Sequence, residues 1–280
     1  MSATFILVHG SNCNAASWAA TQRELALRGH RSLAVDLPGH GFGAAFPAAY
    51  QAPQDLAAFA SAPSSRAAVT LADDVAHVVA TVRRAAELGP VVLAGHSRGG
   101  LALTGAGNAV PELIDRIVYI SAWCCVDATA AEYAAGPENA TSKLNDTAGV
   151  LAANPAELGA LRMNWRTADP GLLAGLKEAM LADGTDEEFL AFMNTMDPDE
   201  SLDGGGPGDR AQAATWGRIP RTYIRLTGDR SMPPALQDRF IREADALTPE
   251  NPFDVRSLDT SHVGVLVRPY DAVEILAGLA

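Results

Sequence analysis

Short apolar runs recur along this chain, and most are separated by a stretch with helical spacing. The runs are Phe5-Ile6-Leu7-Val8, Ser32 to Val35, Val91-Val92-Leu93-Ala94, Ile117-Val118-Tyr119-Ile120, Thr222 to Leu226 and Val255 to Leu258. Each is short enough for a buried strand. Between them the pattern predicts helices from about Ala15 to Arg28, Leu71 to Leu88, Pro234 to about Ala246 and Pro269 to Leu279. Leu71, Val75, Val78, Val79 and Val82 fall on one helical face. Gly29 and Gly89-Pro90 close the first two helices. Strands that alternate with helices imply a parallel sheet covered on both faces. The reactive site of such a sheet lies beyond the carboxyl ends of its strands.

The alternation breaks once. After Val126 about 90 residues follow with helical stretches and no clear strand, including the loop-like run Gly204 to Gly208. The expected division is a core of residues 1–125 and 218–280 with an inserted helical cap, 126–217, over the strand ends. Residues 42–69 are rich in Ala, Pro and Ser and read as a long loop with at most one short helix. The cap carries nearly all of the formal charge of -12, with 16 Asp and Glu against 5 Lys and Arg between Val126 and Gly217. Such a segment repels nucleic acid and anionic lipid. No apolar run spans a bilayer. Met1-Ser2-Ala3-Thr4 lacks the basic start of a signal peptide, so the cytoplasm is the expected location. Cys13, Cys124 and Cys125 make a poor disulfide framework and lack zinc spacing, which predicts buried thiols.

Gly95-His96-Ser97-Arg98-Gly99 has the pattern Gly-x-Ser-x-Gly between an apolar strand and a helix. There a sharp turn lifts a serine hydroxyl above the sheet edge, so Ser97 is the candidate nucleophile. A hydroxyl is a weak nucleophile until a base takes its proton. Of six histidines, His262 lies beyond the last strand and after the candidate acids, which makes it the candidate base. His9 and His40 follow strands in turns that suit structural imidazoles, and His96 should point away from the serine. Asp229, just beyond Leu226-Thr227-Gly228, is the expected acid that orients the base. Asp127, beyond the preceding strand, is its rival, and Asp259 should face another way. The oxyanion needs backbone donors, and the amides of Arg98 and Ser11 are best placed.

These residues resemble the α/β-hydrolase superfamily, most of all the esterase and hydroxynitrile lyase branch that includes plant methylesterases. The resemblance runs through His9-Gly10-Ser11 with Trp18, Gly95 to Gly100, Gly228-Asp229-Arg230-Ser231-Met232-Pro233-Pro234 and Ser261-His262. It implies an α/β-hydrolase fold, a triad of Ser97, Asp229 and His262, and an oxyanion hole from Ser11 and Arg98. Val263 stands where lyases of this branch carry lysine, and the elbow holds Ser97 rather than the aspartate of haloalkane dehalogenases and epoxide hydrolases. The 42–69 insert is longer than expected in plant methylesterases and suggests a different entrance. Asn12, Trp123, Trp165 and Met232 are candidate substrate-binding residues. Met163, Phe192, Met193 and Trp216 either join them in a pocket or pack the cap on the core. The expected activity is hydrolysis of a neutral, apolar carboxylic ester through an acyl-enzyme. The alternatives are a lyase, cyclase or carbon–carbon hydrolase, or a low-turnover receptor. No cofactor or metal is inferred, since neither a dinucleotide phosphate loop nor metal-ligand spacing is present.

Overall fold

The computed structural model describes residues 3–280. Met1 and Ser2, where the leader reading begins, lie outside the described residues. Eight strands are present among the described residues: β1 Thr4–Val8, β2 Arg31–Val35, β3 Val91–Ser97, β4 Arg116–Ala122, β5 Ala160–Arg162, β6 Asp199–Ser201, β7 Arg221–Leu226 and β8 Asp254–Leu258. Six form one sheet in the order β2-β1-β3-β4-β7-β8, and every neighbouring pair is parallel.

Side chains of a strand alternate between two faces, and in the central strands β1, β3, β4 and β7 both faces are buried. Ile6, Val8, Leu93, Ile117, Tyr119 and Tyr223 pack into one core. Val78, Val82, Leu103, Ala106, Leu236 and Phe240 join them from the helices Leu71–Ala86, Gly99–Ala109 and Pro234–Leu247. Phe5, Leu7, Val92, Ala94, Val118, Ile120 and Ile224 pack into the other core. Leu25 and Leu276 meet them there from the helices Ala19–Leu27 and Tyr270–Ala277. Burial on both faces is why these strands read as continuous apolar runs rather than alternating ones. The helix Leu71–Ala86 begins where its sequence says it should. Thr70 and Asp73 cap each other, Arg83 and Arg84 face the negative end of the dipole, and Pro90 follows.

The predicted elements differ from the observed ones mainly at their ends. The first helix opens as a 3-10 turn, Ala15–Trp18, because Asn14 caps Ala16 there. The segment between β4 and β7 does contain strands, against expectation. β5 and β6 pair antiparallel, with Ala160 opposite Ser201. Each is only three residues long, too short for a period to show, and Asp199-Glu200-Ser201 is polar throughout. It is buried because its carboxylates meet buried arginines: Arg162 binds Asp199 at 2.6 Å and Arg66 binds Glu200 at 2.9 Å.

Residues 42–69 include one short α-helix, Leu56–Ser61, and a 3-10 turn, Ala48–Tyr50. They brace β5 and the chain after it. The Arg162 guanidinium donates to the carbonyls of Phe59, Ala62 and Pro63. The side-chain amides of Gln54 and Asn164 bind each other reciprocally.

Candidate active site

The order of the sheet reverses between β1 and β3, and the site gathers at the carboxyl ends of these two strands. Ser97 closes β3 with φ +53°, a left-handed conformation rare for a residue with a Cβ. Strain of this kind persists only where the surroundings over-determine it. The loops after β1 and β3 press together around it. A Cβ on Gly10 would stand 2.8 Å from the Ser97 Cβ, and one on Gly99 would stand 2.6 Å from the His9 carbonyl oxygen. Larger residues at either position would push the elbow away from the β1 loop.

Asp229 follows β7 and is buried. Its Oδ1 accepts the backbone N–H groups of Ser231 and Met232, both at 2.8 Å. Its Oδ2 lies 2.6 Å from His262 Nδ1 and 2.6 Å from Ser121 Oγ. An ionised carboxylate can only accept, so the proton on this contact sits on Nδ1 and Nε2 is the nitrogen left to serve as base. Asp127 is exposed, and Arg210 binds its carbonyl oxygen. Asp259 is also exposed and accepts from Thr227 Oγ1. Neither meets His262.

Ser97 and His262 line the same cavity. The Ser97 hydroxyl has no hydrogen-bond partner among the described residues. Such contacts are often loose before substrate binds. The Ser11 and Arg98 amides likewise donate to no acceptor among the described residues. Asn12 N–H differs: it donates to Glu200 Oε2 at 3.1 Å, so it has no free proton to offer. The loop turns at Asn12 with φ +55°, another strained position. His96 does not bind Ser97. Its Nε2 reaches the His262 carbonyl oxygen at 2.9 Å.

The segment between β4 and β7 grips both catalytic-side loops. Asn12 and Asp197 exchange two hydrogen bonds, with Asn12 Nδ2 donating to the Asp197 carbonyl and Asp197 N–H donating to the Asn12 carbonyl. Asn14 Nδ2 reaches Asp197 Oδ1 at 2.9 Å. His40 sits buried between Asp197 and Glu200. Burial pulls its pKa down, but the hydrogen bond to Asp197 and the adjacent Glu200 carboxylate outweigh this and hold it up to about 9. The neighbouring His9 is pushed down to about 3 by burial and by the charge of His40. His9 is therefore neutral: its Nδ1 meets the Gly10 carbonyl, and its Nε2 accepts the Leu37 amide. Both imidazoles hold loops, as expected. On the other side, Asp183 accepts from Thr260 Oγ1, Ser261 Oγ and Ser261 N–H, which fixes the loop before His262. Burial alone would raise the Asp183 pKa, yet these hydrogen bonds and Arg268 lower it.

The cavity holds about 270 Å³. Trp123, Met163, Trp165 and Met232 line it, as the sequence suggested. Asn12 lines it too, but its side-chain N–H is committed to Asp197, so Asn12 is a wall rather than a donor to substrate. Met180, Met196, Leu144, Thr147 and Cys13 also face it and were not foreseen. Burial pushes the Cys13 thiol up to about 12. Of the residues the sequence left open between pocket and core, Phe192, Met193 and Trp216 pack in the core. Phe192 and Met193 belong to the core with Leu7 and Ile224. Trp216 lies in the other core, its indole N–H on the Tyr119 hydroxyl and its ring under the Arg221 guanidinium. No residue of 42–69 lines the cavity. No Asp, Glu, Lys or Arg lines it either. Among the described residues, no group of three or more His, Cys, Asp and Glu is arranged to hold a metal ion. No helix of the described residues is long and apolar enough to cross a membrane.

Comparison with known proteins gives a consistent picture. The alpha/beta hydrolase family model matches residues 5–274. The (E)-2-((N-methylformamido)methylene)succinate hydrolase of Acinetobacter baylyi is 31% identical over 116 residues, which is 41% of this chain. The match spans 36% of that relative's length. Among solved structures, a pyrethroid hydrolase from Sphingobium faniae superposes with a TM-score of 0.70 at 22% identity, covering 99% of this chain and 97% of the other. Polyneuridine aldehyde esterase superposes with a TM-score of 0.69 at 21% identity, covering 100% of this chain and 99% of the other.

Proposed function

This chain belongs to the alpha/beta hydrolase family, and on that premise we propose that it is a hydrolase that cleaves neutral, bulky carboxylic esters through an acyl-enzyme on Ser97. The observation that carries this reading is the 2.6 Å contact of His262 Nδ1 with a buried Asp229, in the wall of the cavity that Ser97 also lines. His262 Nε2 takes the Ser97 proton as Oγ attacks the ester carbonyl. Asp229 stabilises the imidazolium that forms. The Ser11 and Arg98 amides receive the oxyanion. His262 then returns the proton to the departing alkoxide. A water molecule, deprotonated by the same nitrogen, clears the acyl group.

The lining supports a neutral substrate. An anion inside a chamber without a charged side chain would lose hydration with no partner in return. Four methionines, Met163, Met180, Met196 and Met232, offer flexible and polarizable walls that suit a bulky apolar group. Val263 occupies the position where the lyase reading would call for lysine, and it also lines the chamber. In this account residues 126–217 act as a cap over a core of 1–125 and 218–280. One structural neighbour is named an esterase and another a hydrolase.

Partitioning experiments test the acyl-enzyme. Esters that share an acyl group but differ in leaving group are hydrolysed in the presence of methanol. A common intermediate gives one ratio of methyl ester to acid for all of them. A ratio that changes with the leaving group would exclude it. Matched neutral and carboxylate-bearing esters, compared at two salt concentrations, test the substrate class. A kcat/KM that favours the anionic ester at low salt would overturn it.

A further inference from the structure

One buried hydroxyl touches the candidate triad without a part in the reaction described above. Ser121 lies in β4, in the apolar run Ile117 to Ala122, and is fully buried. The pairing of β3 with β4 slips there. His96 pairs with Ile120 while Ser97 pairs with Ala122, so Ser121 is the extra residue of a bulge. Its φ is +38°, in the left-handed region although it is not glycine. Bulges re-aim side chains, and this one turns Ser121 Oγ to within 2.6 Å of Asp229 Oδ2. That is the same oxygen that His262 Nδ1 meets at 2.6 Å. An ionised carboxylate has no proton to give, so the hydroxyl donates.

We propose that Ser121 is a positioning residue for the triad: its hydroxyl fixes Asp229 Oδ2 and shares that oxygen with His262 Nδ1. This rests on the triad reading above. The reasoning is electrostatic. Oδ1 is already fixed by the Ser231 and Met232 amides, so Oδ2 carries the carboxylate's interaction with the imidazole. A hydroxyl donating to that oxygen withdraws part of its charge. Without the hydroxyl, more negative charge faces Nδ1–H and the imidazolium is favoured.

Other titratable groups surround His262, and none involves Ser121. His96 packs its ring against His262, and burial, with the adjacent imidazole, holds it well below the ordinary range, so it is neutral. Cys13, also facing the cavity, is held neutral by burial. Asp183 is occupied by Thr260, Ser261 and Arg268. Beyond Asp183, Glu188 is paired with Arg268, and Arg230 is paired with Glu178. These groups stay as they are when Ser121 changes.

The bulge also has a purely structural effect, since Trp123 N–H donates to the Ser97 carbonyl just beyond it. The test must separate the two. Ser121→Ala keeps the Cβ and the backbone conformation and removes only the hydroxyl. Ser121→Gly removes the hydroxyl and relieves the left-handed strain. The pH profile of kcat/KM on a neutral ester is measured for both, beside the native enzyme and Ser97→Ala. The acid limb is expected to move up by about half a pH unit to one unit in both variants. At a pH below the limb this appears as a loss of about threefold to tenfold, while the alkaline plateau changes little. The imidazole Nδ1–H proton resonance should shift in the same variants. An acid limb that coincides with that of the native enzyme, in whichever variant folds, would overturn the role of Ser121. Full activity in Ser97→Ala would instead overturn the triad reading itself.

Discussion

Raising the pH from 6 to 10 should weaken the grip of residues 197–200 on the loops beside them, and His40 is the group responsible. Its ring is buried, with Nδ1 3.1 Å from Asp197 Oδ2 and Nε2 3.5 Å from Glu200 Oε2. The two carboxylates lift its pKa from 6.5 to about 9 in the folded protein, against the pull of burial. The folded state therefore holds this proton more tightly than the unfolded chain does. The resulting stabilisation is complete below pH 6.5, declines as pH rises, and is lost above about 9. Two and a half pKa units correspond to about 3 kcal/mol. Urea denaturation of the native protein and of His40→Asn, at intervals from pH 6 to 10, isolates the effect. The variant also loses packing, which adds a constant offset. The pH-dependent part of the difference should be about 3 kcal/mol, with a slope near 1.4 kcal/mol per unit inside the window. Buried thiols are common to both proteins and cancel in the difference. A difference that is flat across the range would show that His40 carries no such charge, and the account of the clamp would be wrong.

Asp229→Asn should keep the fold but lose on the order of 10⁴ in kcat, by analogy with serine proteases, because the imidazole takes the wrong tautomer. Asp127→Asn, at an exposed side chain, should change kcat by less than about twofold. Kinetics of the two variants with circular dichroism check the pair, and reversed results would relocate the acid. Met163→Lys places a charge in a chamber that has none. It should cut kcat/KM for a neutral bulky ester by at least about tenfold, roughly 1.4 kcal/mol, and shift the preference toward the carboxylate-bearing partner. Unchanged preference would mean that the substrate does not enter this chamber. Cys13 and Cys125 are pushed up to about 12 by burial, and Cys124 is raised as well. Iodoacetamide at pH 8 should leave all three unmodified in the folded protein and label them in urea, because the thiolate is the reactive form. Prompt labelling of the folded protein would contradict their burial.

What could be read from the sequence was local. Gly95 to Gly99 announces an elbow because the close approach of the β1 loop demands glycine at the position of Gly99. The central strands β1, β3 and β4 were visible because both of their faces are buried, while the edge strands β2 and β8 are half exposed and show as short apolar stretches between polar residues. Asp229 and Asp127 could not be separated with certainty by sequence, since each follows a strand. The separation is three-dimensional: β4 ends in a bulge that leads the chain away through Trp123, while the turn after β7 folds back on Asp229 with two amides. A serine within an apolar strand carries no signal, so Ser121 was invisible. The charge of residues 126–217 was legible in amount but not in place. Asp197, Asp199 and Glu200 are buried against His40, Arg162 and Arg66, and act as bolts rather than as a surface field. The two readings of Trp216 stayed open for a similar reason. An aromatic residue just before a core strand has the same pattern whether it lines a pocket or fills a core, and here Tyr119 and Arg221 claim it.

The central claim is that Ser97 is an activated nucleophile. Treatment with an organophosphonate probe, followed by intact-mass measurement and peptide mapping, tests it directly. The account predicts one adduct per chain, on Ser97, with ester hydrolysis lost in proportion to labelling and with no adduct on Ser97→Ala. An adduct on another residue, or full hydrolytic activity in Ser97→Ala, would contradict it.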